Sequence, residues 1–254
     1  MIIVRFAAPD ASELYGVLEG DTIRALKSPP FRGIDYSDTS YPLAAVRLLA
    51  PCAPSKIVCL GVNYHGHARE MGHAIPTSPL IFLKPSTAVI GPEADIIYPP
   101  SSQRVDYEAE LAVVIKKPGW RISQKAALDH VLGYTCFNDV TARDLQKIDG
   151  QWARAKGFDT FAATGPWIET DLDPSKLTVE TYLNGEQRQH GSTSDLIYPI
   201  DFLIHFVSHV MTLLPGDVIA TGTPSGIGPM QPGDTVEVRI QGIGTLRNYV
   251  ARRD

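Results

Sequence analysis

The sequence has few cysteines, no long apolar run and no basic cluster. Its three cysteines are an odd number without metal-like spacing, which argues against a disulfide framework and against a cysteine-ligated zinc. A reducing, cytoplasmic setting is therefore expected. No apolar stretch reaches the ~18 residues of a membrane span. Met1–Phe6 alternates as a strand does and lacks the apolar core of a signal peptide.

The charge distribution argues against a nucleic-acid partner. The formal net charge is −5, and acidic and basic residues are scattered along the chain. Nucleic-acid-binding proteins present a basic run or a basic stripe interleaved with aromatic residues, and this sequence has neither. We therefore predict no nucleic-acid partner and no membrane partner.

Glycine and proline are abundant, at 21 and 20 residues, which favours many short strands and turns over a helical bundle. Residues 1–52 have the pattern of a small β domain, because Tyr15–Leu18 and Thr22–Leu26 flank a glycine-containing turn. A larger domain is predicted over residues 53–254. The length of 254 residues suits one large domain with a small appendage.

Three further elements are predicted from local signals. Ser123–Gly133 is predicted as a short helix, with Ser123 as N-cap and Gly133 as the stop signal. Asp201–Leu214 carries apolar residues at helical spacing and is the segment that best fits a helix. The dipeptide Asn184-Gly185 between two strand-like segments predicts a β-hairpin with a two-residue turn.

The acidic start of an apolar strand is the main candidate for a functional site. Val105–Ile115 begins polar and ends as a β-branched apolar run, which is typical of a buried strand. Glu108 and Glu110 would point to one face of that strand, about 7 Å apart. Two buried carboxylates repel each other and are costly to desolvate, and a divalent cation between them removes both costs. A frayed, solvent-facing strand start is the alternative.

Three other segments place titratable residues near predicted strands. His67 and Glu70 are three residues apart, so on one helical turn they would share a face and form an acid/base pair; ordinary polar loop residues are the alternative. Asp139 follows a predicted strand and is either a third carboxylate of the site or the N-cap of a helix. Lys156 lies among small and aromatic residues and is either held close to a ligand or solvated.

Taken together, these segments resemble the fumarylacetoacetate hydrolase family. The matching segments occur in family order and are Lys56–Tyr64, His67–Met71, Phe82–Ser86, Tyr107–Val114, Asn138–Asp144, Lys156–Phe161 and Thr221–Pro224. The ordered set, rather than any one motif, carries the resemblance. Residues 1–50 resemble the short N-terminal β domain of the bacterial branch.

The resemblance implies an α+β, β-rich fold: a mixed β-sandwich roll with a small N-terminal β domain, assembled as a homodimer that binds Mg²⁺ or Mn²⁺. The implied metal ligands are Glu108, Glu110 and Asp139. His67 and Glu70 would form a catalytic dyad on a lid, and Lys156 would act beside the substrate. The implied contacts to the substrate's carboxylate and oxo groups are made by Arg143, Gln146 and Thr223.

Three carboxylates are a hard, oxygen-only ligand set that suits Mg²⁺ or Mn²⁺ and leaves positions open for a 2-oxo acid. We predict an enzyme acting on enolisable 2-oxo dicarboxylic or acylpyruvate-type acids through a metal-held enolate, most similar to the 2-hydroxyhepta-2,4-diene-1,7-dioate isomerases/decarboxylases. Acylpyruvate hydrolysis and oxaloacetate decarboxylation are the alternatives. A metal-dependent binding protein without catalysis is a remote alternative, because such a protein has no need of His67 and Glu70.

Overall fold

Strands dominate the computed structural model, which describes residues 1–72 and 74–252. The strands are β1 (Ile2–Ala7), β2 (Glu13–Glu19), β3 (Thr22–Leu26), β4 (Tyr36–Pro42), β5 (Arg47–Leu48), β6 (Ile57–Gly61), β7 (Leu80–Lys84), β8 (Val89–Ile90), β9 (Asp95–Ile97), β10 (Val105–Tyr107), β11 (Ala109–Ile115), β12 (Val131–Asp139), β13 (Thr141–Ala142), β14 (Ala162–Glu169), β15 (Thr178–Leu183), β16 (Glu186–Ser192), β17 (Val218–Ala220), β18 (Gly228–Met230), β19 (Thr235–Ile240) and β20 (Gly244–Ala251). The α-helices are α1 (His65–Glu70), α2 (Arg143–Asp149), α3 (Ala153–Gly157) and α4 (Ile200–Val210). The predicted α+β, β-rich class is confirmed.

The strands form three sheets. The largest has 12 strands, with the main order β4-β3-β2-β1-β14-β12-β11-β17-β6-β7, and β5 and β8 pair at its side. A second sheet has the order β16-β15-β19-β20-β9, and a third has the order β13-β10-β18. The large sheet is mixed, because β17 is parallel to β6 while β11 is antiparallel to both β12 and β17.

Strand β11 lies in the interior of the large sheet, between β12 and β17, and all of its residues are buried. One face, with Leu111 and Val113, packs in the same core cluster as Leu203 of α4. The other face, with Ala112 and Val114, packs in a second cluster. Burial on both faces explains why this segment is a continuous apolar run rather than an alternating one.

Shortening the buried side chain of Leu111 in β11 is expected to destabilise the protein strongly. Leu111 is fully buried, so Leu111→Ala removes buried apolar surface and leaves a cavity, which costs about 2–5 kcal/mol of the free energy of unfolding. Urea denaturation measures the loss. Leu128→Ala is the matched control, because Leu128 is 51% exposed, and its effect should stay within about 0.5 kcal/mol. Equal losses for both variants would contradict the buried position of β11.

The local predictions were partly right. Asn184-Gly185 joins β15 to β16, with both residues at positive φ (53° and 83°), and the predicted hairpin is confirmed. The short helix predicted over Ser123–Gly133 is present as a 3-10 helix over Gln124–His130, with Ser123 at its N-cap position. The predicted stop at Gly133 is wrong, because the helix ends at His130 and Gly133 lies in β12. A Cβ on Gly133 would lie 2.4 Å from the Glu169 carbonyl oxygen, so this glycine permits close strand contact rather than ending a helix.

The helix predicted over Asp201–Leu214 begins at Ile200 and ends at Val210. The last predicted turn is absent because Leu213 and Leu214 form hydrogen bonds with residues outside the helix. Leu213 exchanges backbone hydrogen bonds with Gly119. The amide of Leu214 donates to Asp217 Oδ2 at 2.8 Å. No helix among the described residues is long and apolar enough to cross a membrane.

The first 48 residues contribute β1 to β5. Strand β1 pairs with β2 on one edge and with β14 on the other, through Ile2–Glu169 and Ile3–Ile168. The N-terminal strands are therefore continuous with the large sheet. The division of the chain into domains of residues 1–52 and 53–254 stays a prediction.

The three cysteines are free and buried. Burial raises the pKa of the Cys52 thiol to about 12 and that of Cys59 well above its usual value. Because the thiolate is the reactive form, all three thiols should react with a chromogenic disulfide reagent at pH 8 far more slowly in the native protein than in urea. Rapid labelling of the native protein would contradict this burial.

Candidate metal centre and active site

The three predicted carboxylates meet where strands of the large sheet become polar. Glu108 is the single residue between β10 and β11, Glu110 lies in β11, and Asp139 ends β12. Because Ala109 of β11 pairs with Asn138 of β12, the start of one strand lies beside the end of the other. One carboxylate oxygen from each of the three residues lies within 4.8 Å of the others.

All three carboxylates are buried, with exposed fractions of 5% for Glu108, 1% for Glu110 and 1% for Asp139. The alternative of a frayed, solvent-facing strand start is therefore wrong. The N-cap alternative for Asp139 is also wrong, because α2 begins at Arg143 and its N-cap position is Ala142. The roles of the three residues as metal ligands stay a prediction.

Neighbouring polar groups fix the two glutamates. The Glu108 amide donates to Asn138 Oδ1 at 3.0 Å, and the Thr141 hydroxyl donates to Glu108 Oε1 at 3.2 Å. The Gly222 amide donates to Glu110 Oε2 at 2.7 Å. Gly222 has a φ of +98°, and a Cβ there would lie 2.9 Å from the side chain of Asn63, so glycine is required at this position.

Buried cations contact Glu108 and Asp139, and also the neighbouring Asp106, but in the described part of the chain none contacts Glu110. They contact three buried carboxylates in the pairs Lys84–Asp139, Lys156–Asp139, Lys156–Glu108, Arg143–Glu108 and Arg143–Asp106. The Lys156 ammonium lies 2.9 Å from Glu108 Oε2 and 2.6 Å from Asp139 Oδ2. Lys156 is 2% exposed, so the alternative of a solvated lysine is wrong.

These contacts set the protonation states. Burial disfavours the charged form of Glu108, but Lys156 and Arg143 outweigh burial and hold its pKa below the usual range. Burial disfavours the Lys156 ammonium as well, yet Asp139 and Glu108 raise the Lys156 pKa. Burial lowers the pKa of Lys84, and the attraction of Asp139 offsets this only in part. Glu110 is the exception: burial, followed by repulsion from Asp139 and Glu108, raises its pKa well above the usual value.

The cluster fits a divalent cation. Oxygen ligands at 2.0–2.6 Å from a Mg²⁺, Mn²⁺ or Ca²⁺ ion lie at most about 5 Å from one another, which agrees with the separations in this cluster. Glu110 receives a hydrogen bond from the Gly222 amide, but no salt bridge to it is formed among the described residues. A divalent ion would supply the positive charge that Glu110 lacks. The other three buried carboxylates of the site are paired with Lys84, Lys156 and Arg143. An ionised Glu110 would therefore neutralise one of the two charges of the metal ion, and the other would attract an anionic ligand.

The predicted acid/base pair lies on α1, whose six residues begin directly after Tyr64. His67 Nδ1 lies 2.9 Å from Glu70 Oε2, and His67 is 7% exposed. The alternative of two unrelated loop residues is therefore wrong. Glu70 Oε1 also accepts a hydrogen bond from the Gly226 amide at 2.9 Å, which fastens α1 to the glycine-rich loop. With Nδ1 donating to Glu70, Nε2 of His67 is left with a lone pair.

A cavity of about 70 Å³ is lined by most of the predicted residues, while Asp139 and Glu70 lie outside its lining. Its polar lining includes the predicted side chains His67, Glu108, Glu110, Arg143, Gln146, Lys156 and Thr223. Arg143 Nη1 donates to Gln146 Oε1 at 2.7 Å, which links two of the predicted substrate contacts. Its apolar lining includes Leu60, Val62, Met71, Phe82 and Trp152. A substrate here would meet charged groups on one side and a wall that excludes water on the other.

Three buried polar residues at the site had no role in the sequence-based prediction. Lys84 donates to Asp139 and to the Val140 carbonyl oxygen, and Asp106 accepts from Arg143 Nε at 2.9 Å. Gln189 contacts β11 from another sheet. The sequence does mark Lys84, because a lysine at the end of an apolar strand, directly before a proline, is a candidate for a buried functional residue. Gln189 stands in the polar segment Glu186–Ser192, where nothing in the sequence distinguishes it.

Comparisons with known proteins identify similar sequences and folds. Residues 56–251 match the family model of the fumarylacetoacetate (FAA) hydrolase C-terminal domain, and residues 1–51 match the Rv2993c-like N-terminal model. Oxaloacetate tautomerase YisK of Bacillus subtilis is 46% identical over 226 residues, which cover 83% of this chain and 75% of that protein.

Two solved structures cover the whole chain. The crystal structure of 2-hydroxyhepta-2,4-diene-1,7-dioate isomerase from Mycobacterium marinum has a TM-score of 0.93 and 47% identity, covering 100% of this chain and 99% of that one. Maleylpyruvate hydrolase from Sphingobium sp. SYK-6, in complex with manganese (II) ion and pyruvate, has a TM-score of 0.83 and 31% identity, with 100% of both chains covered. The family model covers residues 56–251 and both structures share the fold, so the chain belongs to the fumarylacetoacetate hydrolase family.

Proposed function

We propose that this protein is a Mg²⁺- or Mn²⁺-dependent enzyme that isomerises small enolisable 2-oxo acids, with 2-hydroxyhepta-2,4-diene-1,7-dioate and the enol of oxaloacetate as the substrate types. The observation that carries the proposal is that Glu108, Glu110, Lys156 and His67 line one small cavity. Asp139 completes the carboxylate cluster beside it, and Glu70 contacts His67. The tautomerase and the isomerase among the relatives support this reaction class.

The site has the groups that an enol–keto conversion requires. A divalent ion held by Glu108, Glu110 and Asp139 would supply Lewis acidity at the 2-oxo oxygen. Lys156 would stabilise negative charge that develops on that oxygen. His67 Nε2, oriented by Glu70, would move a proton between the substrate oxygen and carbon. The enol O–H bond breaks and its electron pair forms the C=O bond, while the C=C electron pair takes up a proton to form the new C–H bond, so that atoms, electrons and charge balance.

The remaining predicted residues would orient the acid. Arg143 and Gln146, joined by their hydrogen bond, would contact the carboxylate together with the Thr223 hydroxyl. The apolar wall with Phe82 and Trp152 would keep bulk water from the carbanionic carbon. Lower water activity and lower local dielectric both strengthen the charge interactions inside the cavity.

The His67–Glu70 pair also favours a second candidate, hydrolysis of acylpyruvates. A neutral imidazole next to a carboxylate is suited to activate a water molecule for attack on a distal acyl carbonyl. The maleylpyruvate hydrolase relative supports this reading. Decarboxylation of oxaloacetate needs no such base, and no feature of the cavity favours it over isomerisation.

The test is a substrate screen with the purified protein after chelation and after re-addition of Mg²⁺ or Mn²⁺. We expect isomerisation of 2-hydroxyhepta-2,4-diene-1,7-dioate or ketonisation of enol-oxaloacetate, followed by ultraviolet absorbance, to disappear on chelation and return with the metal. His67→Asn should lower turnover by about 10²–10⁴-fold, which is the usual contribution of a general acid–base group.

His190→Asn is the control, because His190 lies 3.0 Å from Glu180 in an exposed pair outside the cavity. This variant should keep wild-type turnover. Full activity after exhaustive chelation would refute the metal dependence. Hydrolysis of acetylpyruvate faster than either isomerisation would favour the second candidate over the first.

A further inference from the structure

The side chain of Gln189 connects the second sheet to the candidate site. Gln189 is the only buried residue of β16, and its side chain has no exposed surface. The pairing of β15 with β16 shifts between Thr181 and Tyr182, where Gln189 and Gln187 are the successive partners. An extra residue of this kind re-aims neighbouring side chains, and here Gln189 points toward β11.

The amide of Gln189 makes four hydrogen bonds. Its Oε1 accepts from the Ala109 amide at 3.0 Å and from the Thr181 hydroxyl at 2.6 Å. Its Nε2 donates to Thr223 Oγ1 at 2.8 Å and to the Pro224 carbonyl oxygen at 2.8 Å. Both amide hydrogens and both acceptor positions are therefore used, which fixes the orientation of the side chain.

The two ends of this amide reach two parts of the site. Ala109 lies between Glu108 and Glu110, so the Oε1 contact fixes the backbone that carries two carboxylates. Thr223 lines the cavity. Because Nε2 of Gln189 is only a donor, Thr223 Oγ1 is the acceptor in their hydrogen bond, and its own proton is left for another partner.

We propose that Gln189 is a positioning residue for substrate binding. It holds β11 at a fixed separation from Thr223 and, by donating to Thr223 Oγ1, directs the Thr223 hydroxyl proton to a carboxylate or oxo oxygen of the ligand. This inference rests on the proposed function, because it requires that the cavity binds a 2-oxo acid. Gln189 itself does not touch the reacting atoms.

The test measures oxalate binding, as a probe for the 2-oxo acid, to Mn²⁺-loaded protein by isothermal titration calorimetry. Gln189→Glu retains the acceptor for Ala109 but lacks the two donated hydrogen bonds. Losing one oriented hydrogen bond should raise the Kd for oxalate about tenfold. Thr223→Val should raise it by a similar factor, and the double variant should bind no more weakly than either single one.

Non-additivity is the decisive result, since it shows that Gln189 acts through Thr223. Additive losses would overturn the inference, because repulsion of oxalate by the new carboxylate persists without the Thr223 hydroxyl. Gln189→Met repeats the comparison of single and double variants without adding a charge, and it replaces Gln189→Glu if that variant does not fold. Thr181→Val removes a Gln189 contact outside the cavity and should change the oxalate Kd less than twofold.

A second readout separates this inference from the proposed function. The affinity for Mn²⁺, measured by the same method without oxalate, should be unchanged or higher in Gln189→Glu, because the contact with Ala109 is retained. A wild-type protein that binds Mn²⁺ but no oxalate, and isomerises no 2-oxo acid, would overturn the proposed function and this inference with it. If the wild type binds oxalate but the losses of affinity in the Gln189 and Thr223 variants are additive, only the role of Gln189 is overturned and the proposed function stands.

Discussion

Glu110→Gln is expected to reduce metal-dependent turnover severely while leaving the fold intact. The glutamine oxygen can still accept the hydrogen bond from the Gly222 amide, and the packing volume is nearly unchanged. The variant loses the one carboxylate of the cluster whose pKa is raised by burial and by repulsion from Asp139 and Glu108. Loss of a ligand charge worth several kcal/mol to the transition state corresponds to about a 10³-fold fall in kcat.

The stability of the same variant gives an independent check. Without metal, Glu110 is a buried carboxylate beside two others, so its replacement by a neutral amide should leave the free energy of unfolding unchanged or increase it. Adding Mg²⁺ should raise the Tm of the wild type but not that of Glu110→Gln, because binding to the folded state alone produces the stabilisation.

Glu19→Gln is the matched control, since the side chain of Glu19 is 53% exposed on β2. It should show wild-type turnover and the full Mg²⁺-dependent rise in Tm. A Glu110→Gln protein that is activated and stabilised by Mg²⁺ as strongly as the wild type would remove Glu110 from the ligand set. A metal-free Glu110→Gln protein that is strongly destabilised would indicate a structural role for the carboxylate instead.

Lys156→Met should impair both turnover and stability. Methionine has a similar length and no charge, so the variant leaves Glu108 and Asp139 without the ammonium that contacts both. Breaking a buried ion pair by removing one partner costs about 3–5 kcal/mol of the free energy of unfolding. Loss of a positive group beside the developing oxyanion should lower kcat by about 10²–10³-fold.

The two effects of Lys156→Met respond differently to metal. A bound divalent ion would neutralise the same carboxylates, so the destabilisation measured in urea should be smaller in excess Mg²⁺ than after chelation, while kcat should stay low. Lys147→Met replaces an exposed lysine of α2 and should alter neither quantity. Wild-type kcat in Lys156→Met would contradict the assigned catalytic role. A destabilisation that Mg²⁺ leaves unchanged would contradict a metal site at Glu108 and Asp139.

Much of the candidate site could be predicted from the sequence, because its residues lie next to strong strand signals. The apolar run of β11 located Glu108 and Glu110, and the strand before Asp139 located the third carboxylate. Spacing alone left each of them with a second interpretation. Burial excluded a frayed strand start for the two glutamates, and the start of α2 at Arg143 excluded an N-cap role for Asp139. Burial depends on contacts between strands far apart in the chain, such as β11 with β17.

The contacts that organise the site are harder to predict from the sequence. Lys84 reaches Asp139 across 55 residues and Gln189 reaches Ala109 across 80 residues, and no local pattern predicts such pairings. The missed ends of two predicted helices have the same origin. Gly133 serves the contact with β14, and Leu213 pairs with Gly119, so tertiary contacts overrode the local signals.

The pairing of β1 with β14 has a consequence for the integrity of the catalytic sheet. Strand β14 lies next to β12, which carries Asp139, and β1 covers part of its opposite edge. Without β1, the backbone amides and carbonyls near Ile168 would face solvent as an open template for another chain. The N-terminal segment would thus protect this edge of β14 against edge-to-edge aggregation, at the end of the strand opposite Ala162, the partner of Asp139.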